Sequence, residues 1–346
     1  MRVSTDQSDT SSQTSIRSAG PPFDDTNADV IIRSCDGFDF RVLKDIIGKA
    51  SHAFNEMFTA QPASSMPFVA TNYREDFVGS VPIVRVTEDR RTLDLLLRLF
   101  YPMDSPDLSE LASIRMVLHA LDKYMVDSYA ETMHSALIDV AKNVPGTVYL
   151  IACRYSLQKT ANTAAWMTVE NPFHCLLHAP PADLAHVSGA DYQRLLLYHD
   201  RCTRAAQYRA QPLRWIHLHC DPGAVHSLLA RFPKCTCSRS RAWVWDGWSG
   251  AGHPNDAVSD DIVWVFFFLE ACSDALKSRV HWETVMDDSL LDMSVKRASA
   301  CPRCRNKAKK ELVVFRKILV REIKTALVKL FLSMPLPFPD VKIDIA

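Results

Sequence analysis

FDFRVLKDIIGKASHAFNEMF, residues Phe38 to Phe58, decides how the chain is read. Its first part alternates, with Phe38, Phe40 and Val42 set against polar neighbours, the period of two that puts successive side chains on opposite faces of a strand. Its second part carries Ile46, Ile47, Ala50, Phe54, Met57 and Phe58 at spacings of three and four, the stripe of an amphipathic helix. The change of period predicts a strand that runs straight into a helix. Upstream, ADVIIRS is short and β-branched and CDG supplies turn chemistry, so the segment from Ala28 reads as a β-hairpin. Downstream, a polar, proline-bearing segment from Thr59 to Pro82 reads as a loop. It leads to PIVRVTED, a further short strand on Ile83, Val84 and Val86.

Helices dominate the rest of the chain. Thr92 is placed to cap a helix whose stripe is Leu93, Leu96, Leu97 and Phe100, stopped at Tyr101-Pro102. Beyond Pro106, Ile114, Val117, Leu118, Leu121, Met125 and Tyr129 repeat on one face, which predicts one long helical region continuing to Leu137. VYLIACRYSLQKTANTAAWMTV and ADYQRLLLYHDRCTRAAQ read as helices on either side of a Pro-rich break. A Trp-, His- and Cys-rich region runs from Pro212 to Cys304, and a closing amphipathic helix carries Leu312, Leu319, Ile323, Leu327 and Leu330 on one stripe. Three prolines in MPLPFPDVKIDIA preclude further helix.

Composition narrows the function classes. The chain has 346 residues, 47% apolar and 23% charged, with formal charges cancelling, the profile of an ordinary globular protein with no bulk pull toward nucleic acid. Its 10 glycines are few, and neither G-x-G-x-x-G nor G-x-x-x-x-G-K-[ST] occurs, so no phosphate-cradling loop is read. Residues 1–27 are Ser/Thr-rich and are expected to form a disordered tail without an export signal. The longest apolar run, Ile262 to Leu269, falls far short of the ~20 residues that span a bilayer. The expectation is a soluble protein of the cytoplasm or nucleus, whose 10 cysteines are reduced thiols or metal ligands rather than a disulfide framework.

From Ala28 to Val140 the chain resembles a BTB/POZ domain of the kind common in fungal proteins. The resemblance rests on Asp29-Val30 at the first strand, FRVLK, the Ala-Ser then Phe of KASHAFNEMF, PIVRVTED and RTLDLLLRLFYP, in the family's order. It implies an α+β fold, a small three-stranded sheet packed with helical hairpins, followed here by a mainly helical carboxy-terminal region. The family works by protein-protein interaction, through homodimerisation or adaptor docking, and some members engage cullin ubiquitin-ligase scaffolds or transcription machinery. Residues 28–142 are then the domain, 143–210 a helical extension and 211–346 a Cys/Trp-rich region with the closing helix. Asp29 and Lys44 match an acidic and basic pair that lines a charged pocket near the subunit interface of some dimeric members. Read from the residues alone, Asp29 capping the strand entry and Lys44 as a solvated cation remain open. One departure is Leu43, where the family often has His.

The cysteines give a second motif. KCTCS and ACPRCR place Cys235, Cys237, Cys301 and Cys304 in two pairs, and four thiolates complete a tetrahedral zinc site. A structural zinc is one reading; thiols without metal, with C-P-R-C capping the last helix, is the other. The closing stretch from Arg303 to Lys329 holds ten Lys/Arg against two Glu. That supports, as an alternative function, a zinc-stabilised nucleic-acid binder using the basic helix, while a solvated face opposite the apolar stripe explains it equally. GWSGA brings Ser249 near the G-x-S-x-G pattern of a hydrolase, but Ala251 stands where the second Gly belongs and HPNDAVSDD follows where a helix is required. No enzyme is expected.

Overall fold

The computed structural model describes residues 16–59, 77–178, 181–210 and 263–333. The chain divides into two units, residues 1–140 and 141–346.

In the first unit, β1 (Arg17–Ser18), β2 (Val30–Arg33), β3 (Phe38–Val42), β4 (Phe77–Val78) and β5 (Val81–Arg85) form one sheet in the order β1-β3-β2-β5-β4. The hairpin is where the alternation puts it: β2 and β3 are antiparallel, with Val30 opposite Val42 and Arg33 opposite Asp39. The second central pair, β2 with β5, is parallel, which requires a crossover; the chain makes it through α1 (Lys44–Ala50) and α2 (His52–Thr59). With neighbours on both edges, β2 buries every residue, and Val30, Ile31 and Ile32 lie at the centre of the core with Phe40, Ile47, Phe54 and Leu96. Arg33, 5% exposed, is held by a two-pronged contact with its cross-strand partner, Nε to Asp39 Oδ1 at 2.6 Å and Nη2 to Oδ2 at 2.8 Å.

Five strands replace the expected three because β1 and β4 are only two residues long, too short to show a period. For the same reason residues 16–27, expected as part of a disordered tail, are held against the sheet instead. The amide of Arg17 donates to Gly37 O at 2.9 Å, that of Ala19 to Asp39 O at 2.9 Å, and that of Arg41 to Phe23 O at 2.9 Å. Phe23 is 1% exposed, with its ring 5.7 Å from those of Phe40 and Tyr101. One aromatic and three backbone bonds anchor a segment that its composition alone would release.

Three helices complete this unit: α3 (Arg90–Phe100), α4 (Leu111–Lys123) and α5 (Ala130–Ala141). The cap of α3 is Asp89, whose side chain accepts from the Thr92 amide, rather than Thr92 itself. The predicted single helix from Pro106 to Leu137 is broken at Tyr124–Tyr129. Val126 N–H donates to Leu121 O at 3.0 Å and Met125 N–H to Asp122 O at 3.1 Å, a Schellman ending with Met125 at φ 51°. Met125 therefore leaves the buried stripe and is exposed.

The second unit is helical among its described residues: α6 (Pro145–Arg154), α7 (Gln158–Thr168), α8 (His174–Leu177), α9 (Pro181–Leu184), α10 (Gly189–Arg209), α11 (Val263–Ser278), α12 (Asp288–Ser299) and α13 (Ala308–Ser333), with a 3-10 turn at Trp282–Met286. Proline opens α6, where its missing N–H costs nothing. A second Schellman ending, at Ser156 with φ 54°, turns the chain into α7, whose buried Ala161, Ala164 and Ala165 let the hairpin close. The closing helix α13 lays Leu312, Phe315, Leu319, Ile323, Leu327 and Phe331 into the core. Tyr198 of α10 meets Phe331 edge-on at 6.1 Å, and Phe268 of α11 meets Phe315 at 6.2 Å. The described parts of 143–210 and 211–346, expected as separate regions, thus share one core. Among the described residues no helix is long and apolar enough to cross a membrane.

Candidate functional site

Asp29 and Lys44 meet, but not as an ion pair. Helix α1 begins with amides that lack intrahelical acceptors, and its preceding residue, Leu43, has no side chain able to cap. Two distant side chains supply the acceptors. Asp29 Oδ1 takes the Lys44 N–H at 2.8 Å, and Tyr101 Oη, from the end of α3, takes the Leu43 N–H at 2.9 Å. A carboxylate at a helix N-terminus also meets the favourable end of the helix dipole. So Asp29 caps a helix rather than the strand entry, and ties β2 to α1. The Lys44 ammonium enters no ion pair among the described residues. Burial pushes the Tyr101 phenol up, with the Asp29 and Asp25 charges adding to it; it stays protonated and hydrogen-bonding at neutral pH.

Sequence reading missed a stronger cluster at the end of β5. Glu88 is 9% exposed. Its carboxylate accepts from Lys123 Nζ at 2.7 Å and from the Tyr124 hydroxyl, while Lys123 also donates to Thr87 Oγ1 at 2.6 Å. Burial works to raise the Glu88 carboxyl; the hydrogen bonds from Lys123 and Tyr124, with the Lys123 charge, outweigh it and hold the group below the usual glutamate range. A carboxylate committed to two donors in this way positions and locks its neighbours, and its lowered pKa makes it a poor proton carrier near neutrality. The signal in the sequence was Glu88 directly after a strand, but its partners lie 35 and 36 residues on.

The unit's outer strand is different in character. Phe77 is 52% and Val78 41% exposed on β4, which among the described residues is the edge of the sheet. An edge strand presents unpaired backbone groups, and apolar side chains there favour pairing with another chain.

Of the proposed zinc ligands, Cys301 and Cys304 are described. They form a turn in which the amides of Cys304 and Arg305 donate to Cys301 O at 3.1 and 3.0 Å, and Cys304 O receives Lys307 and Ala308 at 3.0 and 2.9 Å as α13 begins. Cys304 is buried and Cys301 partly so. The C-P-R-C stretch thus leads directly into α13. Cys235 and Cys237 lie outside the described residues, as does Ser249. Among the described residues no group of three or more His, Cys, Asp or Glu side chains gathers around a common point. Burial raises the Cys153 and Cys202 thiols to about 12, so neither is a ready nucleophile near neutrality.

Compared with models of known protein families, with curated proteins and with solved structures, the chain matches none.

Proposed function

We propose that the first unit is a protein-interaction module of the BTB/POZ type, assembling by homodimerisation or by docking an adaptor partner such as a cullin scaffold, inside the cell. The observation that carries this is the exposed apolar edge at Phe77 and Val78. Burying such a pair against a partner gains on the order of 25 cal/mol per Å², while the edge backbone sets register and direction. Element order agrees with the reading: hairpin, helix pair, parallel strand, then three helices. Asp29 and Tyr101 serve by fixing α1 rather than by chemistry.

The test is the mass of the full chain in solution. Light scattering should give a dimer, or affinity capture a partner in defined ratio, and Phe77→Asp with Val78→Asp should return a folded monomer that captures nothing. A native chain that is strictly monomeric and partnerless, or a doubly substituted chain that still assembles, defeats the reading.

A further inference from the structure

Helix α13 is patterned on two sides. Opposite its buried stripe, Lys310, Val314, Lys317, Arg321, Lys324, Val328, Lys329 and Leu332 recur at helical spacing. Five of these are cations and none is acidic. At ~1.5 Å per residue the cations, from Lys310 to Lys329, extend over ~28 Å. Lys310, Lys317 and Lys329 enter no ion pair among the described residues; Arg321 reaches Glu322 at the margin of the face at 3.5 Å. Lys324 is steadied over the Trp282 ring, its Nζ 4.9 Å from the centroid. The face also carries apolar side chains open to solvent, Val314 among the charges at 36% exposure and Leu332 beyond the last of them at 75%. A shallow groove of ≈ 570 Å³, wide open to solvent, is lined by Lys324, Thr325, Val328, Lys329, Leu332 and Ser333.

Such a face works against the helix when nothing covers it. Lys317 with Arg321 and Arg321 with Lys324 are like charges at i,i+4 and i,i+3, each destabilising by ~0.2–0.5 kcal/mol, and Leu332 gives no folding energy while it faces water. A ligand that brings carboxylates and apolar side chains at the same spacing removes both penalties together.

We propose that this outer face of α13 docks an acidic amphipathic helix from a protein partner, its apolar residues on Val314, Val328 and Leu332 and its carboxylates on Lys317, Arg321, Lys324 and Lys329. Two helices bring i, i+3, i+4 and i+7 positions into register at ~8–10 Å, which matches the interleaving of apolar and basic positions. A phosphate backbone would use the cations but not the apolar groove, and α13 presents no aromatic on this face for stacking bases. Three apolar side chains are too few to seat the helix in a lipid interface.

The probe is a fluorescein-labelled helical peptide with Leu at i, i+4 and i+7 and Glu between, titrated into the full chain by anisotropy. Saturable binding that weakens about tenfold as salt rises to about 0.3 M is expected. Lys317→Glu with Lys324→Glu should weaken it at least about tenfold, Val328→Asp should weaken it also, and Arg303→Glu, before the helix, should leave it unchanged. The proposal is overturned if the peptide fails to bind, if Lys317→Glu with Lys324→Glu binds it equally, or if a single-stranded oligonucleotide or phosphatidylserine vesicles bind more tightly than the peptide. Because Phe77→Asp is read by solution mass and these variants by peptide affinity, the two proposals fail independently.

Discussion

Glu88 offers the sharpest test of how the first unit is held. Replacing it with Ala removes the acceptor for two donors of different standing. Lys123 keeps Thr87 Oγ1 at 2.6 Å and is 28% exposed along its side chain, so water replaces most of what it loses. Tyr124 is 1% exposed, and its hydroxyl has no such recourse. A hydrogen bond to a charged acceptor contributes ~1.5–3 kcal/mol, and an unsatisfied buried hydroxyl costs ~1–3 kcal/mol; the loss should total about 3 kcal/mol, on the order of 10 °C in a unit of this size. Urea unfolding of the full chain, followed by near-ultraviolet circular dichroism, measures it. The contact itself is isolated by a cycle of Glu88→Gln, Tyr124→Phe and the double variant, with an expected coupling of ~1–2 kcal/mol. Acid titration gives an independent check. A carboxyl held below its ordinary value contributes stability that is present above the unfolded pKa and is lost as pH falls through the folded one. Stability should therefore fall between the ordinary glutamate value of 4.5 and lower pH, and Glu88→Gln should flatten that fall. Additivity within ~0.3 kcal/mol, or an unchanged acid limb, would refute the assignment.

Asp39→Ala removes the carboxylate that takes both prongs of the Arg33 guanidinium and should cost ~1.5–3 kcal/mol; Arg33→Met with Asp39→Leu should recover most of it, as calorimetry would show. Met125→Gly removes the side chain that disfavours φ 51°, and should stabilise the unit by ~0.5–1 kcal/mol in urea. On the zinc reading, Cys301→Ser should lower both the zinc content of the purified protein, by elemental analysis, and its melting temperature; unchanged values for both reject the zinc site.

What the sequence made legible is what local period can carry. The hairpin, the strand at Ile83 and Val84, the Leu93/Leu96/Leu97 stripe and the inner face of α13 each announce themselves within a dozen residues, and each is buried where the period puts it. One exchange on α13 shows the resolution of that reading: Phe331 rather than Leu330 completes the buried stripe, since both lie near its edge. What stayed hidden depends on partners far along the chain. Asp29 is an exposed acid until Lys44 N–H comes to it, and Ser18 and Phe77 are polar and apolar punctuation until a neighbouring strand makes them sheet.

The two interruptions that periodicity overlooked, at Ser51 and at Tyr124–Met125, are one feature in space. Helix α2 starts with amides in need of acceptors, and α4 ends with carbonyls in need of donors. They answer each other: His52 N–H donates to Met125 O at 3.3 Å and Ala53 N–H to Tyr124 O at 3.4 Å. Ser51 Oγ donates to Tyr124 O at 2.5 Å while accepting from Phe54 N–H at 3.2 Å, so one hydroxyl both caps α2 and binds it to α4. The Tyr124 ring then stacks on Phe54 at 4.3 Å, and its hydroxyl reaches Glu88. A continuous helix at either place would have kept its own backbone bonds and broken this junction. That is why sequences with unbroken helical periodicity on both sides, 46–58 and 114–129, fold with a break in each. The same junction fixes α2, α4 and the end of β5 to a single residue.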